Sequence, residues 1–169
     1  MHYIVLDFEW NQPLSEKEML MEPFPFDSEI IEIGAIKLDE SFQTVDEFKI
    51  FIRPQFYPHL SNAVVQLTKI RPQELEKAPS FPEVFDAFID WCGDDCALCS
   101  WGPDDIPVLL DNMLLHGIPT EPFPYCYDLQ RIFARELLRE NRQCSLSDAV
   151  KMLKLPADRA HDALNDTRN

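Results

Sequence analysis

Residues 3–10, YIVLDFEW, begin as an apolar, β-branched run and predict a buried strand carrying acids at its end. A loop with three prolines follows over 12–27. EIIEIGAIKLD (29–39) and EFKIFIRP (47–54) predict two further strands, joined by a turn near 41–46. The second alternates Phe48, Ile50 and Ile52, as a strand with one face in the core should. After Pro54 the period changes. Ser61 is placed to cap a helix over 62–67, and Ser80 another over FPEVFDAFIDWC, where Phe81, Val84, Phe85, Phe88 and Ile89 form one stripe. ALCSW (97–101) predicts a short strand, 104–116 a helix, and 125–128 another short strand. Helical segments near 129–140, 146–154 and 158–169 complete the chain. Three strands followed by alternating helices and strands predict an α/β fold, a mixed sheet with helices packed on it. With no repeat, low-complexity tract or linker, residues 1–169 read as a single domain.

Composition narrows the function. The four glycines stand alone at 34, 93, 102 and 117, so neither GxGxxG nor GxxxxGK[ST] can be assembled, which excludes a Rossmann dinucleotide site and a Walker P-loop. The N-terminus has no basic region before Asp7, and no apolar run approaches the ~20 residues of a membrane span. Five cysteines, an odd number without framework spacing, suit a reducing compartment, and the expected location is cytoplasmic, away from membranes. Cys92, Cys96 and Cys99 have the CxxxCxxC spacing of radical-SAM iron–sulfur sites, but Leu98 stands where those enzymes carry an aromatic. The favoured reading is core packing at a helix end and a strand.

Three clusters carry chemistry. Asp7 and Glu9 are i and i+2 on a strand, so they share a face, where they repel each other and lose hydration unless a divalent cation joins them or the strand end is solvated. In CSWGPDDIPVLL, Gly102–Pro103 breaks the strand and the next helix opens at an acid; Asp104 is the expected cap, which leaves Asp105 free for another role. In AHDALNDTRN, His161 and Asp166 are five apart, poorly aligned on one helix. They can face one site if the helix starts between them; otherwise they belong to a surface helix.

In this order, DxE on the first strand, an acid after a strand–turn and HxxxxD late in the chain resemble the DEDDh 3′→5′ exonucleases of the RNase H-like superfamily. EIIEIGAIKL, FIRP, LTKIRPQEL and LSDAVKML are similar to further family segments. DFEWNQ and the FIRP…LTKI phrasing look closest to the histone-mRNA-trimming and RNA-interference-regulating exoribonucleases and the bacterial KapD-like enzymes. The resemblance implies an RNase H-like mixed β-sheet flanked by helices. It implies that Asp7, Glu9, Asp105 and Asp166 hold two Mg²⁺ or Mn²⁺ ions, hard cations suited to carboxylate oxygen. His161 would be the general base, and Phe8, Leu67, Thr68 and Trp101 would contact substrate. Trp101 is suited either to stacking on a base or to packing on the sheet. The implied partner is single-stranded nucleic acid, RNA favoured over DNA. Two features depart from the pattern: Pro103 replaces a polar residue before the third acid, and the chain ends three residues after Asp166, where a short helix would hold that acid loosely.

The net charge of −15 argues against nucleic acid when taken alone. The distribution is uneven: residues 1–130 hold 7 basic and 24 acidic side chains, while 131–169 hold 8 and 6. Arg131, Arg135, Arg139 and Arg142 recur at near-helical spacing, as a solvated face or as a guide for a phosphate backbone. Two alternatives stand beside exonuclease action on longer strands. One is oligoribonuclease-like cleavage of very short RNAs, and the other is a non-catalytic binding module on the same fold.

Overall fold

In the computed structural model, which describes residues 1–139, 143–156 and 161–169, five strands form one mixed sheet. They are β1 (His2–Asn11), β2 (Glu29–Leu38), β3 (Thr44–Phe51), β4 (Cys96–Ser100) and β5 (Tyr125–Asp128), in the order β3-β2-β1-β4-β5. β3, β2 and β1 are antiparallel neighbours, whereas β4 and β5 run parallel to β1. Alternation sorts β1 by face. Ile4, Leu6 and Phe8 enter the main core, which leaves Asp7 and Glu9 on the other side. Helices α3 (Phe81–Cys92) and α4 (Asp105–Leu115) cover the core face through Phe85, Phe88, Leu109 and Met113. The opposite face meets α1 (Asn62–Thr68), α2 (Pro72–Leu75) and α7 (Ala163–Arg168), so the first eight residues of β2 are buried throughout. No helix among the described residues is long and apolar enough to cross a membrane.

Several boundaries differ from the sequence expectations. β3 runs three residues earlier than 47–54, because its ladder with β2 continues back to Leu38↔Thr44. The expected helix over 129–140 is α5 (Leu129–Phe133), capped by Asp128, followed by a π-helical turn over Ala134–Leu138. Arg139, in the left-handed region at φ 58°, stops it. The wider π turn breaks the 3.6-residue spacing on which an Arg131–Arg135–Arg139 stripe depends; Arg142 lies outside the described residues. Helix α6 spans Leu146–Leu153. The expected helix over 158–169 is shorter: 157–160 lie outside the described residues, and α7 starts at Ala163 because Asp162 adopts extended backbone and caps it, accepting from the Asn165 N–H at 3.2 Å. Asp104 occupies the cap position of α4 without a side-chain capping bond, so the expected cap is not made. The cysteines are all free, and burial pushes the Cys92 thiol up to about 12 and the Cys99 thiol up to about 11. Both therefore stay protonated, as packing residues do.

Candidate active site

The site forms where β1 outruns β4. Their pairing ends at Val5↔Cys99, and three residues on, the Phe8 N–H donates to Asp105 Oδ1 at 3.2 Å. That bond holds the first residue of α4 against the strand carrying Asp7 and Glu9, although the Gly102–Pro103 turn intervenes. On the other flank the β1–β2 register slips by one residue between Glu9↔Glu32 and Trp10↔Ile30, a bulge that leaves Ile31 out of the ladder beside Glu9.

The third component arrives from the end of the chain. A β-carbon on Gly34 would lie 2.3 Å from the Ala163 carbonyl carbon and the Leu164 nitrogen, so only glycine lets the α7 backbone rest directly on β2. Gly34 pairs with Asp7, and α7 consequently brings Asp166 to the two first-strand acids. Asp166 is not loosely held, contrary to the expectation from the short helix. One oxygen accepts the His161 N–H at 2.9 Å, and the other accepts from Asn169 at 3.4 Å.

All nine residues that the family resemblance assigns to the site line a single cleft of about 580 Å³. Within it, ligand atoms of Glu9, His161 and Asp166 lie within 4.8 Å of one another, a spacing suited to a metal ion. Asp7 and Asp105 form the adjoining acidic wall. Burial, then the charges of Asp105, Glu9, Asp166 and Glu32, pushes the Asp7 carboxyl well above the usual carboxylate range. Burial and then Glu32 push Glu9 up to about 8. Burial raises Asp105 to about 7 against the opposing pull of the Phe8 N–H and its own N–H. Buried carboxylates forced together in this way are relieved by protons or by a hard cation.

The substrate-side residues divide by role. Phe8 lines the cleft with its side chain largely buried in the core and its backbone N–H bonded to Asp105. Leu67 is half exposed at the end of α1, whereas the Thr68 hydroxyl donates to Val64 O at 3.0 Å and accepts the Ile70 N–H at 3.1 Å. Trp101 reconciles its two readings: its indole N–H donates to Cys144 O at 3.0 Å and its ring packs on Phe133, yet it still lines the cleft. The sequence reading missed the wall built by α6, where Ser147, Val150 and Lys151 face the opening. Among the described residues, Lys151 is the one Lys or Arg along the cleft, and Arg131, Arg135 and Arg139 are not part of it.

Comparison with known proteins agrees with this arrangement. The exonuclease family profile RNase_T matches residues 4–169. The chain is 28% identical over 138 residues to a PolC-type DNA polymerase III of Bacillus cereus, covering 82% of this chain and 9% of the polymerase. Over 123 residues it is 25% identical to the "Probable 3'-5' exonuclease KapD" of Bacillus subtilis, covering 72% of this chain and 56% of that one. It thus spans less than two thirds of either relative. The fold superposes on the nuclease domain of 3'hExo, a DEDDh family member bound to rAMP, with a TM-score of 0.82 at 24% identity, over 99% of this chain and 86% of that one. The mixed sheet and its helices are accordingly of the RNase H-like exonuclease type.

Proposed function

The chain belongs to the RNase_T exonuclease family, and from that premise we propose that it is a metal-dependent 3′→5′ exonuclease releasing 5′-nucleoside monophosphates from single-stranded RNA or DNA, with RNA favoured. The observation that carries this reading is the convergence of Asp7, Glu9, Asp105, Asp166 and His161 on one cleft. The four carboxylates are the proposed ligands of two Mg²⁺ or Mn²⁺ ions, and their crowding fits hard divalent cations. Bound there, such ions supply a water of lowered pKa and stabilise charge on the departing oxygen.

The remaining work falls to the protein. His161, exposed at the mouth and tied through its backbone N–H to Asp166, accepts the proton of the attacking water on its ring nitrogen. Leu67 and the face of Trp101 flank the terminal nucleotide, which a strand with splayed bases presents readily. Lys151, on the wall facing the acids, takes a backbone phosphate. Residues 1–169 act in this reading as a single catalytic domain. With Lys151 the one basic side chain along the cleft among the described residues, the −15 chain depends on divalent cations for affinity.

The test is the purified protein with Mn²⁺ on matched 5′-labelled RNA and DNA oligonucleotides. The expected result is stepwise shortening from the 3′ end, faster on RNA, and a loss beyond about 100-fold in Asp7→Ala. Failure of the wild type to shorten either strand, or an Asp7→Ala variant of equal activity, overturns the proposal. A preference for two- to five-nucleotide RNAs over long ones would reassign the substrate to oligoribonuclease-like cleavage.

A further inference from the structure

We propose that Lys49, outside the cleft on β3, is a positioning residue that clamps the His161–Asp166 segment onto the sheet; this rests on the nuclease reading of the site. Lys49 pairs with Gly34 in the β2–β3 register, directly beside the spot where α7 touches β2. Its ammonium lies 2.7 Å from Asp162 Oδ2 and forms an ion pair at 3.1 Å with Glu32 Oε1. Each of those carboxylates bonds the start of α7 in turn. Asp162 caps it by accepting from Asn165, and Glu32 Oε2 accepts the Ala163 N–H at 3.4 Å. One cation therefore joins two acids that together hold the first turn of the helix bearing Asp166.

Two features give the clamp a purpose. His161 sits at φ 60°, in the left-handed region that a residue with a β-carbon adopts uncommonly and at some cost in backbone energy. Its immediate neighbour is Asp162, the residue that Lys49 holds. In addition, Glu32 pairs with Glu9 across the β1–β2 ladder and is almost fully buried. Without a cation at its other side, Glu32 and Asp162 would add two further negative charges to a site already crowded with carboxylates. A lysine can meet both acids because its ammonium donates in three directions. Arg168, which pairs with Glu47 at 2.6 Å, adds a second tie between α7 and β3 at the far end of the helix. Lys49 does not line the cleft, so it acts through the segment and not on substrate.

The experiment compares Lys49→Gln, Lys49→Arg and Asp162→Asn, the last retaining a side chain that still caps a helix. Three quantities are read: Mn²⁺ affinity by calorimetry, amide exchange over residues 163–169 without metal, and kcat and KM on an RNA oligonucleotide. Lys49→Gln is expected to weaken Mn²⁺ binding by about 10–100-fold, as loss of a group that orients a ligand does. It should speed exchange at Asn165 and Asp166, and lower kcat with KM little changed. Lys49→Arg should recover most of each. Asp162→Asn should reproduce the losses, and the Gln/Asn double variant should be no worse than either single one. Unchanged Mn²⁺ affinity and exchange in both single variants overturn the proposal; so does tighter Mn²⁺ binding, which would make Lys49 only an opposing charge. A wild-type protein that binds Mn²⁺ yet cleaves nothing would refute the nuclease reading and leave the binding and exchange results to judge the clamp.

Discussion

Adding one methyl group, Gly34→Ala, puts the assembly of the site under direct strain. The new carbon would sit 2.3 Å from two backbone atoms of α7 and 2.7 Å from the Ala163 β-carbon. Carbon atoms in contact settle near ~3.5 Å, so relief requires about 1 Å of movement between α7 and β2. No flexible side chain can absorb it, because the obstacles are main chain. Overpacking of this kind costs about 1–3 kcal/mol, which for a chain of this size lowers Tm by roughly 2–12 °C. Catalysis should suffer far more. Displacing Asp166 and His161 by about 1 Å while Asp7 and Glu9 stay on β1 is enough for an approximately 100-fold loss of rate. The assay is 3′-end shortening of a labelled oligonucleotide at saturating Mn²⁺, with circular dichroism melts in parallel. A variant that melts and turns over like the wild type would refute the claim that glycine is required for α7 to seat.

The raised carboxyls make a further prediction about pH. Glu9, at about 8 in the fold against an ordinary 4.5, and Asp105, at about 7 against 3.8, bind more protons folded than unfolded across the intervening range. Metal-free stability should therefore fall as pH rises from about 4 and level off above about 8, by at most roughly 5 kcal/mol for Glu9. Melts with and without Mn²⁺ check this, and the ion should stabilise more at pH 8 than at pH 5.5; a metal-free Tm that climbs from pH 5 to 8 would contradict the assignment. Lys151→Ala should weaken oligonucleotide binding evenly across sequences and reduce the slope of log affinity against log salt by about one. Paired Arg135→Glu and Arg139→Glu should affect that slope less than Lys151→Ala, because both lie off the cleft, and fluorescence anisotropy over a salt series distinguishes the two cases.

What could be read in advance was local, and what could not was set by packing. Asp7 and Glu9 were legible because a strand's two-residue period alone assigns them to one face. Asp105 was legible because a Gly-Pro turn announces a helix start. The gathering of Asp166 and His161 with them depended on Gly34, whose isolation within a strand hinted at close approach without naming what approaches. The Lys49–Asp162–Glu32 group joins residues far apart in sequence, so no window of residues could reveal it. The α6 wall was likewise expected as a helix, but which neighbour it faces follows only from the sheet order. The π turn after Phe133 misled the arginine spacing, since a local change of helical pitch leaves little trace in side-chain pattern.

The contact between α7 and Gly34 also sets an order of events during synthesis. Asp7 and Glu9 emerge first, but their partners His161 and Asp166 follow about 150 residues later. At translation speeds of roughly 5–20 residues per second, the two ends of the site are made about 8–30 s apart. Until α7 settles on β2, the growing chain carries three of the four proposed metal-binding carboxylates, Asp7, Glu9 and Asp105, and no histidine beside them. The acidic cluster can therefore close only after residues 161–169 have been made, well after the strand that carries Asp7 and Glu9.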